Sequence, residues 1–566
     1  MTKRDIIRTL NHIGLLLEIK GESFFKSKAY YDAARKIELM QEDIFELVKE
    51  GKLGHIKGFG KALTEKIGEL VNTGKLKYYE DLQSSIPEGL IQMLKIPGIG
   101  AKKIKILYDK LGISTIQELK QACLEDKLLI ITGFSKKGQE KILEGIIVIE
   151  KYADKFHFPV GDIIAQEIIK SFEDVSYIKR YAVAGSLRRK KEIIKDIDIL
   201  VSSDEPDKVM DIFTSHYYVV EVTSKGNTKS SVILQNGLRA DLRVVTDKQY
   251  PYALHHFTGS KEHNTALRHL AKQKGLKINE YGIFSDEKLI ECKDENDIFK
   301  VFGMDFIQPE IRENNGELQA AIEGKLPKLI ESKDIKGLVH VHTNYSDGSA
   351  TIKDLARECI KRGYKYLGIT DHSKSAIYAG GLKKDDIIKQ HNEIDQLNKK
   401  YLSFQILKGT EADILADGSI DYSDEVLKTF DFVIASIHSS FKMDEKKMTK
   451  RIIKAIENKY VKILGHPTGR LLLSREPYNI NIDEIVKACV KNNVIIEINS
   501  NPYRLDLDWR YIKAAKEKGA KFVISPDAHS IKDLDYVRYG INVARKGWLE
   551  KSDVANASED LSLYFK

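Results

Sequence analysis

The sequence predicts a multidomain α/β protein with a helical N-terminal region, a mixed α+β middle and a C-terminal β/α barrel. Three observations carry this reading. In residues 1–150 apolar residues recur three and four apart, as in Ile6, Ile7, Leu10, Ile13, Leu16 and Leu17, the period of a helix with one buried face. In residues 151–330 the short runs "RYAVAGSL", "DIDILVSS" and "GLRADLRVV" are β-branched and bounded by turn formers, so they read as strands. In residues 337–566 seven apolar runs ("LVHVH", "YLGITD", "FQILKGTE", "FDFVIASIHS", "VKILGHP", "VIIEINS", "KFVISPDAH") alternate with helical stretches. That alternation is the pattern of parallel β/α units, and a barrel is the expected closure.

Bulk properties narrow the function classes. A length of 566 residues accommodates about three to five domains. The net charge of +8 is modest and no third of the chain is strongly basic, so any nucleic-acid binding must be argued from local motifs. Cys123, Cys292, Cys359 and Cys489 are far apart and form no CxxC, which excludes a disulfide scaffold and a thiolate zinc site and suggests a reducing cytosol. There is no long apolar run of membrane-spanning length, and "MTKRDIIRTLNHIG" lacks a secretory h-region, so no membrane association is expected.

The helical region holds a repeated device. "IKGFGKALTEKI" (56–67) and "IPGIGAKKIKIL" (96–107) each place two glycines around one apolar residue before a basic helix, and "ITGFSKKGQEKI" (131–142) is a looser copy with Ser135 for the second glycine. Glycine permits a positive φ and a close backbone approach to phosphate, and the helix amides that follow point at the anion. One copy would read as an ordinary helix connection. Two copies followed by lysines (Lys61 and Lys66; Lys102, Lys103 and Lys105) favour contact with a nucleic-acid backbone through Gly58, Gly60, Gly98, Gly100 and Lys102. The pattern resembles the helix-hairpin-helix element, a sequence-independent DNA binder.

In "AGSLRRKKEIIKDIDIL" (184–200) Asp196 and Asp198 lie two apart on a strand, with both carboxylates on one face. A solvated edge strand is the plain alternative. Asp241, on another strand, can complete a carboxylate site for two Mg²⁺ ions, and Gly185, Ser186 and Arg189 offer an amide, a hydroxyl and a fork for phosphate oxygens.

These residues, with "HHFTGSKEHNTALRHLAKQKGLKINEYGIF" (255–284), resemble the palm and thumb of family X DNA polymerases, the family of DNA polymerase beta. The resemblance implies that His256 and Phe257 lie near the incoming nucleotide's sugar, that Gly259 belongs to the nucleotide-binding set and that Asn264 contacts the base. It also places Arg268 on the templating side and Arg239 near the primer terminus. Lys195 stands where many members have glycine, His256 replaces the tyrosine of the animal enzymes, and Phe25 replaces a histidine of the lyase pocket. Lys66 matches the Schiff-base lysine of that pocket, while a phosphate contact is its plainer reading.

The C-terminal region carries His340, His342, His372, His438, His466 and His529 at strand ends, together with Asp347, Glu411 and Asp527. Packing does not explain six histidines at the same end of successive strands. Nine nitrogen and oxygen donors exceed one tetrahedral site and point to two or three Zn²⁺ or Mn²⁺ ions. Asp347 by itself also reads as a turn former. The set resembles the PHP (polymerase and histidinol phosphatase) domain, which implies phosphoester hydrolysis, with Arg470 of "GHPTGR" as a substrate-phosphate contact or a surface ion pair.

The expected organisation is therefore as follows: 1–80, a helical lyase-like DNA-binding domain; 81–150, a helix-hairpin-helix fingers-like subdomain; 151–245, a nucleotidyltransferase palm; 246–315, a thumb-like nucleotide-selection subdomain; 316–336, a linker; and 337–566, a PHP metallohydrolase domain. The implied function is gap-filling DNA polymerisation in repair, with a metal-dependent 3′–5′ exonuclease or 3′-end-processing activity. The implied partners are primed, gapped DNA and dNTPs; a monomer in the cytoplasm, associated with the nucleoid, is expected. Two alternatives remain at this point, a small-molecule phosphoesterase in the PHP domain and a DNA-end-binding scaffold with vestigial sites.

Overall fold

The computed structural model describes residues 3–40, 43–96 and 98–565, and the chain divides into two compact units, residues 1–153 and 154–566. No helix among the described residues is long and apolar enough to cross a membrane.

The first unit is helical. Ile6, Leu10, Ile13 and Leu17 of helix Lys3–Lys20 join Ala33 and Ile37 of helix Phe24–Leu39 in its apolar core. All three Gly-containing repeats adopt one geometry. The amides of Phe59, Ile99 and Phe134 donate to the carbonyls of Ile56, Ile96 and Ile131 at 3.1, 3.4 and 3.1 Å, and Gly58, Gly98 and Gly133 sit at φ of 103°, 88° and 95°. This is a turn that needs positive φ at its third residue, hence glycine. The fourth residue, apolar in each copy, is buried and pins the turn to the core. The helices Lys61–Thr73 (α1), Ala101–Leu111 (α2) and Lys136–Tyr152 (α3) follow. Their N-caps, Gly60, Gly100 and Ser135, are extended with φ of −70°, −113° and −101°, which any residue adopts, so serine is tolerated in the third copy.

The second unit begins with a five-stranded sheet. Its strands are β1 (Ile178–Val183), β2 (Asp196–Ser203), β3 (Val219–Lys225), β4 (Lys229–Leu234) and β5 (Arg239–Val245), in the order β1-β2-β5-β4-β3. Only β2 and β5 run parallel. Ile197, Ile199 and Val201 share one core with Phe158, Ile164 and Ile168 of helix Phe158–Lys170 and Val209 and Phe213 of helix Pro206–Thr214. Period-two alternation then turns Asp196 and Asp198 to the opposite face. Helices Tyr250–Thr258 and Lys261–Gln273 and a small antiparallel sheet (residues 276–290) form a separate apolar cluster around Tyr252, Leu267 and Phe299.

The stretch 316–336 is built into this unit and is not a free linker. Glu317 is buried and accepts from the Asn314 and Asn315 amides at 2.9 and 2.7 Å. Leu329, Ile330 and Ile335 are buried, and the Ile330 amide donates to the Leu549 carbonyl at 3.0 Å. Its polar composition conceals these apolar anchors.

All seven strand-length runs of the C-terminal region are strands: β6 (Gly337–Val341), β7 (Tyr366–Ile369), β8 (Gln405–Asp413), β9 (Phe432–Ser436), β10 (Val461–Leu464), β11 (Ile495–Asn499) and β12 (Phe522–Ser525). They pair in parallel and in chain order. The ring closes where the His342 amide donates to the Ala528 carbonyl (2.9 Å) and the Ala528 amide to the His340 carbonyl (3.2 Å). Val339, Phe432, Ile434, Ile463, Ile495 and Val523 form an apolar cluster joined by Ala555 and Leu561 from the C-terminal segment. Polar seams within the second unit fasten the barrel to the region of the five-stranded sheet. His157 Nε2 lies 3.0 Å from the Leu472 carbonyl, and Glu192 accepts from Trp509 (3.1 Å) and Arg510 (3.0 Å). Buried Lys546 donates to the carbonyls of Arg189 and Glu310 and to Glu313.

Candidate active sites

On the sheet, the register sets Asp198 opposite Asp241 and Asp196 opposite Arg239 across the parallel pair β2–β5. The three carboxylates therefore share a face, and the Lys229 ammonium lies 2.6 Å from Asp241. Burial and the neighbouring charges of Asp196 and Asp241 push the Asp198 carboxyl up to about 7. Burial and Asp241 also raise Asp196. Like charges this close favour protonation unless a cation stands between them, and an all-oxygen donor set suits a hard ion such as Mg²⁺.

The turn Gly185–Arg188 lies against this site. Gly185 has φ of 60°, and a Cβ there would lie 2.0 Å from Asp198 Oδ2, so only glycine lets the turn approach the carboxylates. Ser186, next in the turn, is partly exposed. Arg189 pairs through Nε with Glu313 (3.2 Å) and donates from Nη1 to the Thr258 carbonyl. The adjacent guanidinium of Arg188 is held likewise by Glu295 and Thr258.

The other nucleotide-site candidates cluster on the following helices. Gly259 sits beside Arg189, its Cβ position 3.2 Å from Nη1. His256 lies 3.8 Å from Glu280, and burial lowers its pKa. The Arg243 guanidinium covers the Phe257 ring at 4.3 Å. Asn264 spends its amide on the His256 carbonyl (2.7 Å), leaving its buried Oδ1 without a partner, and Arg268 donates to Thr265 (3.3 Å).

In the first unit, Lys66 is set apart from the surface lysines. Its ammonium donates to the Tyr30 hydroxyl at 2.6 Å and lies 3.5 Å from the centroid of the Tyr78 ring. Burial and the nearby charge of Lys26 hold its pKa below the ordinary lysine value. Phe25 is exposed. Lys102 lies over the Phe24 ring at 5.6 Å. The caps separate the three hairpins: Gly60 and Gly100 supply no capping side chain, whereas Ser135 accepts from the Gly138 amide at 3.1 Å.

At the C-terminal ends of the barrel strands, the nine predicted donors converge, as a parallel barrel dictates. Three groups could each hold an ion: His342, Asp347, His372 and His529; His340, His342 and Asp527; and His372, Glu411 and His438. Buried Glu411 is the hub, 2.9 Å from His372 and from His466, 3.2 Å from His438 and 3.3 Å from His340. His340 Nε2, both nitrogens of His342 and Nδ1 of His466 are buried without a hydrogen-bond partner. Orphaned imidazole nitrogens amid carboxylates, with no thiol present, fit borderline divalent ions such as Zn²⁺ or Mn²⁺.

The electrostatics of the barrel site follow from that crowding. Burial opposes charge on His372, yet Glu411 and Asp347 outweigh it and raise its pKa to about 10. Burial likewise opposes charge on His438 and His529, but their carboxylate neighbours carry both to about 9. His342, buried among His372 and His529, falls to about 4. Glu411 and Asp527, though buried, are held well below the usual range by the histidines. His340, His466 and Asp527 have φ of 60°, 24° and 51°, a strained conformation for non-glycine residues concentrated at these donors.

Two carboxylates missing from the sequence reading support the donors from behind. Glu497 pairs with His340 Nδ1 and accepts from the His466 amide (2.5 Å), and Asp413 pairs with His438 Nδ1. Such partners fix ring orientation and tautomer. Glu497 had a signal, an acidic residue inside the apolar run "VIIEIN". The expectation for Arg470 is corrected: it is buried, pairs with Asp508 and donates to the carbonyls of Arg504 and Leu505, so it holds a loop. Arg504, which the sequence reading missed, points its guanidinium at the site, 3.7 Å from Asp527, and donates no side-chain hydrogen bond among the described residues.

Comparison with known proteins agrees with this division. Family models match as a DNA polymerase beta thumb (residues 253–313), a PHP domain (339–501), a helix-hairpin-helix domain (1–76) and a SAM-like helix-hairpin-helix tandem (90–146). The chain is 41% identical over 572 residues, covering 100% of both chains, to a DNA polymerase/3′–5′ exonuclease PolX of Bacillus subtilis (strain 168). Its C-terminal part is 31% identical over 229 residues (38% of this chain, 88% of the relative) to a "Probable phosphatase" of Thermoanaerobacter sp. (strain X514). It is 30% identical over 232 residues (39% and 87%) to another from Caldanaerobacter subterraneus subsp. tengcongensis.

Proposed function

The chain belongs to the family X DNA polymerases with a C-terminal PHP domain, and from that premise we propose that it fills gaps in DNA and trims 3′ ends at two separate metal sites. The observation that supports this is the coexistence of two donor clusters, three carboxylates on one face of a sheet beside a glycine turn and nine donors converging at a barrel mouth.

At the first site, Asp196, Asp198 and Asp241 would hold two Mg²⁺ ions, which when bound supply charge neutralisation for in-line displacement at the nucleotide's phosphate. The chain's own part is placement. The Gly185–Ser186 turn offers an amide and a hydroxyl to the triphosphate, and Arg239 lies at the edge of the carboxylate pair where a primer phosphate would run. His256, Phe257 and Asn264 form the wall for the sugar and base of a dNTP. The hairpins at Gly58–Gly60 and Gly98–Gly100 hold the DNA backbone through free helix amides and Lys102.

At the second site the nine donors would hold two or three Zn²⁺ or Mn²⁺ ions, which when bound supply Lewis-acid stabilisation and activation of the attacking water. Glu497 and Asp413 orient His340 and His438. The barrel walls bury His340 and His342 completely, while Asp347 and His529 stay open to solvent at the mouth. DNA repair is the setting that a gap-filling and end-trimming pair of activities suits.

A gapped duplex incubated with and without dNTPs, under Mg²⁺ and then Mn²⁺, tests both activities on one substrate. Extension with dNTPs and 3′ shortening without them are expected; neither on any gap length refutes the reading. The likeness to phosphatases favours a second reading in which the barrel hydrolyses small phosphomonoesters, and faster turnover of such an ester than of DNA would establish it. The aromatic cradle and lowered pKa of Lys66 favour a third activity, Schiff-base attack on an abasic sugar, which borohydride trapping on abasic DNA would reveal.

A further inference from the structure

Beside the barrel site stands a loop whose apolar tip the fold leaves unused. Residues 373–381 follow the donor His372 and are firmly anchored. Ala376 and Ala379 are buried, the Ser375 amide donates to Asp421 (2.7 Å), and the Gly381 amide returns to the Ala376 carbonyl (3.1 Å). The Ser375 hydroxyl donates to Asp413 (3.1 Å), the carboxylate that also orients His438. This rigid loop nevertheless presents Ile377 and Tyr378 to solvent, 85% and 73% exposed. Neighbouring large apolar side chains on an ordered loop need a role other than core packing.

The Tyr378 ring lies at the mouth of the site, its centroid 6.3 Å from that of His372. Arg504, on the loop after β11, lies 3.7 Å from Asp527 and donates no side-chain hydrogen bond among the described residues, unlike Arg470. An aromatic face at the mouth and a cation beside the buried donors match a nucleotide, its base outermost and its phosphate innermost. A small phosphate ester has no use for the aromatic face. A paired base inside a duplex cannot offer its face to a ring, whereas an unpaired terminal base can.

We propose that Tyr378 stacks on the unpaired terminal base of a DNA 3′ end entering the barrel, while Arg504 contacts its phosphate. The inference rests on the exonuclease reading above and makes the barrel selective for frayed or single-stranded 3′ ends. Tyr378 and Arg504 are specificity and binding residues; neither supplies the chemistry.

The test compares two single-stranded oligonucleotides, one ending in a normal 3′ nucleotide and one ending in an abasic analogue. The readout is the ratio of kcat/KM for the two ends, measured on the full-length, metal-loaded protein. The wild type and Tyr378→Phe should prefer the base-bearing end. Tyr378→Ala and Tyr378→Leu should shrink that preference by about 5- to 150-fold, the worth of one base–aromatic stack. Arg504→Ala should slow both ends by a common factor and leave the ratio intact. An equal ratio in the wild type and all three Tyr378 variants overturns the stacking role, and a ratio altered by Arg504→Ala overturns the phosphate role. If the wild type leaves both oligonucleotides intact but hydrolyses a phosphomonoester, the exonuclease reading falls and the inference falls with it.

Discussion

The sheet site and the barrel site solve the problem of holding divalent metals in opposite ways. The sheet presents three carboxylates of one sign, relieved only by Lys229 at Asp241, and Asp198 answers by holding its proton up to about 7. The barrel interleaves three carboxylates with six imidazoles, so that carboxylates are pushed down and most histidines up, each neutralising the other. One site is unfinished until a cation arrives. The other is a centre whose opposite charges offset one another before any ion binds. On the proposed reading, the first suits ions that come and go with nucleotide phosphates and the second suits resident ions.

Separate centres mean separable losses, and this is where the largest effect is expected. Asp198→Ala should reduce primer extension at least about a thousandfold while 3′ degradation stays within about twofold; His340→Ala or Asp527→Ala should do the reverse. Extension and degradation assayed on one gapped duplex decide it, and a variant that loses both activities while still folded would break the division. Next in size is reconstitution. After chelation and dialysis, Mg²⁺ alone should restore extension at once, whereas degradation should return only with Mn²⁺ or Zn²⁺. Recovery of both in Mg²⁺ would erase the contrast between hard and borderline sites. A smaller effect belongs to the carboxylates behind the ligands. Glu497→Gln should weaken metal retention by the barrel about 10- to 100-fold, read by titration with a competing chelator, with extension unchanged.

How much of this was legible in the sequence depended on the kind of signal. The barrel strands were readable because each is an apolar run buried along its length, and their donors were readable because a parallel barrel places every strand end on one rim. Strand β3 went unread, since "VVEVTSK" is exposed along nearly its whole length and carries no core pattern. Arginines were the hardest residues to assign. Arg189, Arg470 and Arg504 look alike in a string, and only the fold shows that the first two pair with Glu313 and Asp508 while the third faces the donor Asp527. Ser135 was ambiguous for a different reason: its position needs an extended cap, not positive φ, so the missing glycine meant less than it seemed.

The smallest expected effect probes the sheet site's unfinished charge directly. In the metal-free protein, Asp198 titrates near 7 when folded against an ordinary 3.8, so between these values the folded state holds a proton that the unfolded chain has released. The stability tied to that proton is full below about pH 4 and is lost as pH rises through 7. Mg²⁺ takes over the proton's role once the carboxylates ionise, so its stabilising effect should grow with pH. Partial solvent access to Asp196 and Asp241 screens the repulsion, which brings the expected gain between pH 5.5 and pH 8 to about 1–2 kcal/mol. Thermal unfolding with and without saturating Mg²⁺ at the two pH values measures it. The barrel offers the control within the same chain: Asp198→Asn should abolish the pH-dependent Mg²⁺ increment, while His340→Ala should leave it in place. An increment that survives Asp198→Asn would move the repulsion elsewhere and dissolve the contrast between the two sites.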